Sequence, residues 1–195
     1  AGEKVNIVIT PLLTASGEAW AGGYFYPIDL FSKAEYPNSN QGKIMYLHHY
    51  QDQDVIDYQI GTISHEFQHM IFYNQQVVNN NRLDDATWLN EGFSQLAEDI
   101  AGFGYKDGIA NELYPFLDYP QDTSLLLWEG QPRDYNVSYL FARYLYDRFG
   151  RGIIEGVHSI GGNYQNAVER YTGLSFRSIF RDFAFALWLD EESGS

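Results

Sequence analysis

The 195-residue chain contains no cysteine. That excludes disulfides, thiol nucleophiles and thiolate-held zinc, so any metal site must draw on histidine and carboxylates. Positive charge is scarce: 12 Lys and Arg stand against 26 Asp and Glu, a formal net charge of −14. A chain of that sign repels phosphate backbones and anionic lipid, which argues against nucleic acid and membrane surfaces as partners. Long hydrophobic runs are also missing, and none approaches the ~18 apolar residues that cross a bilayer. The opening AGEKVNIVIT lacks a basic stretch followed by an apolar one, so any export signal or pro-segment is expected to lie outside it. The acidic ending LDEESGS reads as a frayed end or a cut within a longer protein.

What the chain does have is apolar mass and rings. Hydrophobic residues make up 45%, with 16 Tyr and 13 Phe, enough for one sizeable ring-rich core. Strand signals fall early. KVNIVIT (Lys4–Thr10) reads as a buried strand, AGGYFYPIDLF (Ala21–Phe31) as a turn and short strand, and KIMYLHHY (Lys43–Tyr50) as another strand. YPNSNQG (Tyr36–Gly42) reads as a loop. From Val55 to about Val78, Ile56, Ile60, Ile63, Phe67, Met70 and Ile71 recur at helical spacing. NNNRLDD (Asn79–Asp85) ends that helix, and a second is expected over Ala86–Phe103 with Asp85 as its N-cap. Tyr119–Tyr135 reads as loop, and further helices are expected over Val137–Gly150, Asn163–Tyr171 and Ser175–Leu189. Repeats, low-complexity tracts and a clear linker are not found. The expectation is a single α+β domain over residues 1–195, mainly β in 1–54 and mainly helical in 55–195.

The chemistry concentrates in ISHEFQHMI (Ile63–Ile71). A helix turns 100° per residue, so His65 and His69 project from nearly one face and can aim two imidazoles at one ion. Zinc accepts imidazole nitrogen at about 2.0–2.1 Å without strain in that arrangement. Glu66 is offset by about 100°, placed to miss the ion yet reach a water beside it and act as general base. A merely hydrogen-bonded pair of core histidines is the competing reading. It leaves an apolar helix with three polar groups in need of partners.

Catalytic zinc commonly takes three protein ligands. No histidine follows within six residues, since position 75 is Gln75 and the next histidine is His158. The next helix offers Glu91 near its start, in TWLNEGFSQLAED, and the short Asn79–Asp85 connection allows antiparallel packing that brings it back. Glu91 as a solvated first-turn glutamate is the alternative. Glu98 lies seven residues on, two turns along the same face, where it could orient a ligand histidine through the opposite ring nitrogen or stand as a surface charge.

HEFQH followed by WLNEG resembles the gluzincin metallopeptidases, the group that includes the thermolysin and aminopeptidase N types; SHEFQHMI is most similar to the hyicolysin-like neutral metallopeptidases, which are bacterial and secreted. The resemblance runs from about Gly22 to Gly150. It implies a thermolysin-like catalytic domain, a small mixed sheet beside a helical lobe with the active-site helix between. It also implies Zn2+ held by His65, His69 and Glu91, Glu66 as catalytic base, and peptide or protein substrates. WLNEG looks like the aminopeptidase-type third-ligand helix. Gln95 stands where thermolysin-like enzymes carry aspartate, a departure in the same direction. YNVSYLFARYLYDRFG (Tyr135–Gly150) is similar to the aminopeptidase segment that opens on an oxyanion-binding tyrosine, which puts Tyr135 on the matching position, with Tyr139 and His158 as rivals.

The amine-anchoring Gly-x-Met-Glu-Asn motif of aminopeptidases is absent, so an endopeptidase is expected, with Gly42–Tyr50 as an edge strand on which substrate adds. His48 and His49 are neighbours on a strand, face opposite ways and cannot share an ion. The acidic groups Asp52/Asp54/Asp57 and Asp84/Asp85 offer oxygen donors of the kind Ca2+ takes, without EF-hand spacing, and no ligand is assigned among them. A second function remains open at this stage: a weakly active or inactive zinc-binding or adhesion module of a larger surface protein. Glu66 weighs against it, because a structural zinc needs four protein ligands and no base.

Overall fold

The computed structural model describes residues 4–11, 22–49, 56–79, 87–104, 113 and 116–193. The chain gathers into two compact units: Ala1–Tyr73 with Ser94–Glu112, and Asn74–Phe93 with Leu113–Ser195. Architecture is α+β, a small mixed sheet and six α-helices among the described residues, in keeping with a small thermolysin-like domain.

The first unit holds β1 (Asn6–Thr10), β2 (Gly23–Phe25), β3 (Ile44–His48), helix α1 (Ile56–Tyr73) and the later turns of α2 (Thr87–Ile100). Strand order is β1-β3-β2, with β1 parallel and β2 antiparallel to β3. β3 forms within the expected segment, but it is not the edge strand expected there: it is the central strand, paired on both sides. Its side chains explain this, since Ile44, Met45 and Leu47 are all buried and a doubly paired strand reads as a near-continuous apolar run. β1 is corrected in the other direction. It forms where expected, yet Ile7, Val8 and Ile9 are exposed, because α1 packs on β2 and β3.

Glycine permits that packing. A Cβ at Gly22 would lie 2.8 Å from the Tyr58 hydroxyl, and one at Gly23 would lie 2.9 Å from Thr62 Cγ2. Tyr58, Thr62 and Glu66 recur every four residues, so one stripe of α1 runs beside β2. Inside α1, Gly61 has the same use, since its absent Cβ would meet a Glu98 carboxylate oxygen at 3.2 Å and the Phe103 carbonyl at 3.3 Å. The apolar stripe read from sequence is only partly the buried one: Ile56, Phe67 and Ile71 are exposed, whereas Glu66, Gln68 and Met70 are buried.

The second unit carries the wider π turns that continue α1 over Asn74–Asn79, the first turns of α2, and four further helices. These are α3 (Pro132–Phe149), α4 (Gly152–Ile160), α5 (Tyr164–Thr172) and α6 (Phe176–Ser193). Its core is aromatic, with the ring of Phe141 against Trp88, Phe176 and Phe183. α3 begins five residues before its expected start, at Pro132, where proline suits the first helical position. The buried Asp134 fixes that start by accepting from the backbone N–H groups of Glu129 and Gln131, both at 2.9 Å. α4 is not among the helices expected from sequence, yet the run carries Ile153 and Val157 one turn apart, both fully buried. Among the described residues no helix is long and apolar enough to cross a membrane.

Candidate metal centre

His65, Glu66 and His69 come together on α1. One donor atom from each lies within 4.8 Å of the others, the grouping among the described residues suited to a metal ion. Both imidazoles are held from α2. His65 Nδ1 stands 2.7 Å from Glu98 Oε1, and His69 Nδ1 stands 3.2 Å from Ser94 Oγ. Four residues forward along α1 correspond to four residues back along α2, so these segments run antiparallel. The two contacts fix ring orientation in the same sense. With Nδ1 engaged, Nε2 is the nitrogen each ring would offer to a metal, and at His65 the partner is a carboxylate, which raises the basicity of a ligating imidazole.

Glu66 is only 7% exposed. Its Oε2 accepts a 2.7 Å hydrogen bond from the Phe25 backbone N–H. That N–H points away from β3. Tyr24 faces Tyr46 in the ladder while Gly22 accepts from His48 N–H, so the intervening Gly23 and Phe25 direct their peptide groups to the outer edge of β2. Glu66 is thus anchored on a strand edge, with its carboxylate aligned by backbone.

The other residues singled out by sequence fall as follows. Glu91 lies on α2, three residues before Ser94 and seven before Glu98, so the three share one helical face. Its neighbour Gly92 belongs to the second unit, where a Cβ would come within 2.5 Å of the Ser138 carbonyl oxygen on α3. The glycine of WLNEG is therefore a backbone contact. Tyr135, one turn before Ser138, is half-buried in the first turn of α3, its ring edge-on to Trp128 at 4.7 Å. Tyr139 is buried. His158 is a helix residue, not the polar loop histidine that its glycine-rich surroundings suggest. It is 4% exposed, packed on Phe93 and Tyr164, with Nδ1 2.6 Å from the Ile154 carbonyl. His48 is half-buried on β3 and His49 exposed just beyond it. Asp57 is exposed, and Asp52, Asp54, Asp84 and Asp85 lie outside the described residues.

Ser94 was not anticipated. The sign was available: if Glu98 serves the first histidine of an i, i+4 pair, the residue four earlier on an antiparallel helix serves the second.

No protein-family model matches the chain. Over 98% of its length it is 24% identical to the neutral metalloprotease ShpI of Staphylococcus hyicus, and it spans about half of that relative, 48%. This similarity and the grouped His65, Glu66 and His69 together support a metalloprotease relationship and a zinc-type site.

Proposed function

We propose that the chain is the catalytic portion of an exported zinc endopeptidase. The observation that carries the reading is the pair of histidines one turn apart, each tied through Nδ1 to α2, with a buried glutamate between them. The donor set suits zinc: two imidazoles and, in this reading, the Glu91 carboxylate, leaving one position for water. Bound zinc supplies Lewis acidity toward water and a peptide carbonyl.

The chain's own residues do the rest. Glu66 takes the proton from the attacking water and returns it to the departing amine, and the Phe25 N–H keeps one carboxylate oxygen fixed while it does so. Glu98 holds the His65 imidazole in one tautomer, and Ser94 fixes the orientation of the His69 ring. Tyr135 donates its phenolic hydrogen to the developing oxyanion, and the edge-on Trp128 ring limits where that hydroxyl can point. Peptide substrate adds as a strand to the outer edge of β2, which presents backbone groups beside the base.

The test is casein or peptide hydrolysis that stops with phenanthroline and returns with added zinc, measured beside Glu66→Gln. The variant is expected to bind one equivalent of zinc and lose at least ~100-fold in turnover. Full activity in Glu66→Gln would sink the mechanism. Zinc bound at one equivalent, with no cleavage of any peptide by the parent chain, would point to the adhesion module.

A further inference from the structure

Glycine weakens the interior of a helix relative to alanine, so a glycine kept there needs a reason. Gly61 lies inside α1, one turn before His65 and on the same face, and is buried. Backbone conformation does not call for it, because its φ is not positive. Its neighbours do. A Cβ at Gly61 would stand 3.2 Å from Glu98 Oε2 and 3.3 Å from the Phe103 carbonyl oxygen, both closer than ordinary van der Waals contact.

Both neighbours are tied down. The other Glu98 oxygen, Oε1, is 2.7 Å from His65 Nδ1, so the carboxylate spans from Gly61 to His65 along one face of α1. The main chain of Glu98 is held as well. Its carbonyl accepts from the N–H groups of Phe103 and Gly104, both at 3.0 Å, which closes a hook beyond the last turn of α2. Gly102 makes the bend with φ +85°. Gly104 is pressed on Asp99, where a Cβ would come within 2.6 Å of Cα. The hook thus sets the root of the Glu98 side chain and the Phe103 carbonyl against the same bare turn of α1, all within the first unit.

We infer that Gly61 is a positioning residue of the metal centre: the space left by its missing side chain is the seat from which the Glu98 carboxylate reaches His65 Nδ1. The inference deepens the zinc reading and rests on it for His65 as a ligand. A methyl group at position 61 can be accommodated in two ways. The carboxylate turns away from it, which takes Oε1 off the line of the Nδ1–H bond, or the two helices part, which moves Glu98 as a whole away from the ring. Either way the 2.7 Å contact lengthens. His65 then loses the acceptor that keeps its proton on Nδ1, and with it part of its basicity as a ligand.

The experiment compares the parent, Gly61→Ala, Glu98→Ala and the double variant. Zinc affinity is read by chelator competition. The His65 tautomer is read by long-range proton–nitrogen NMR on the same chains without metal, its signal identified by loss in His65→Asn. Gly61→Ala is expected to raise the zinc dissociation constant about three- to tenfold, at or below the ~10–100-fold of removing such a partner outright, and to shift His65 away from the Nδ1–H form. In Glu98→Ala the carboxylate has left the space a methyl would fill, so adding Gly61→Ala should change affinity less than about twofold. Equal losses from Gly61→Ala in both backgrounds, or parental affinity and tautomer in Gly61→Ala, would overturn the role. If Gly61→Ala unfolds by circular dichroism and the double variant folds, the carboxylate is the group displaced and the seat stands. Unfolding of both would put the constraint on the Phe103 carbonyl alone and overturn it. Should the parent bind no zinc, the zinc reading fails, and the tautomer shift alone then upholds or overturns the seat.

Discussion

The carboxylate of Glu98 meets Nδ1 of His65 at 2.7 Å, 33 residues away in sequence and one helix across. A histidine that coordinates through Nε2 must carry its proton on Nδ1, and an ionised carboxylate, which can only accept, selects that tautomer. Removing such a partner commonly costs 10–100-fold in metal affinity. Glu98→Ala is therefore expected to raise the zinc dissociation constant by about that factor in competition with a chromogenic chelator, and Glu98→Gln, which still accepts, by less. Equal affinities for all three proteins would remove Glu98 from the site.

Ser94 makes the weaker of the two ring contacts, a 3.2 Å approach of an uncharged hydroxyl. A neutral hydrogen bond contributes about 0.5–1.5 kcal/mol, so Ser94→Ala should weaken zinc binding by about two- to tenfold. The loss should fall below that of Glu98→Ala in the same titration, and the reverse ranking would contradict the roles given to the two residues.

Glu91 is tested apart from both. If it completes the donor set, Glu91→Ala removes a ligand, and zinc binding should weaken more than in either Glu98→Ala or Ser94→Ala. Circular dichroism of the metal-free protein should stay unchanged. A variant that binds zinc as tightly as the parent would exclude Glu91 as a ligand and reopen the search for the third donor.

Much of this was legible in the sequence and some was not, for physical reasons. Spacing alone put His65 and His69 on one face, and a two-turn separation put Glu98 on the Glu91 face. Periodicity located α1, α2, α5 and α6 to within a few residues. It misjudged which face of α1 is buried, because the stripe against β2 and α2 is chosen by small and polar residues such as Gly61, Thr62 and Glu66, which a hydrophobic pattern does not register. Pairing order was also hidden: the apolar run of β3 states that it is buried, not how many neighbours it has. Helix α4 was lost to its glycines, and Gly156 is there because a Cβ would overlap the Tyr171 ring at 2.0 Å.

Gly92 illustrates the same kind of constraint. A methyl group placed 2.5 Å from the Ser138 carbonyl oxygen has only backbone to push against. Gly92→Ala should cost at least the ~1–3 kcal/mol typical of overpacking, read as a lower urea midpoint at unchanged slope. A midpoint equal to the parent's would show that α2 and α3 can part there without penalty.

His158 gives the second unit a pH dependence whose sign is fixed by burial. Desolvation lowers its pKa below the usual 6.5, and the short bond from Nδ1–H to the Ile154 carbonyl opposes that shift to a lesser degree. Among the groups packed on the ring are the Phe93 side chain and the buried Tyr164 phenol, whose own pKa burial raises; neither of these two carries a charge. The unfolded chain therefore takes up a proton at His158 near pH 6.5 while the folded chain does not. Its contribution to stability is full above that pH and is lost as pH falls from about 6.5 toward the lowered folded value, at up to ~1.4 kcal/mol per pH unit. Carboxylates contribute a slope of their own at lower pH, so the measurement is a difference: urea midpoints of the parent and of His158→Phe, each at pH 7.5 and 5.5. The parent should lose more stability between the two than the variant. Parallel losses would mean that His158 is protonated as readily in the fold as out of it.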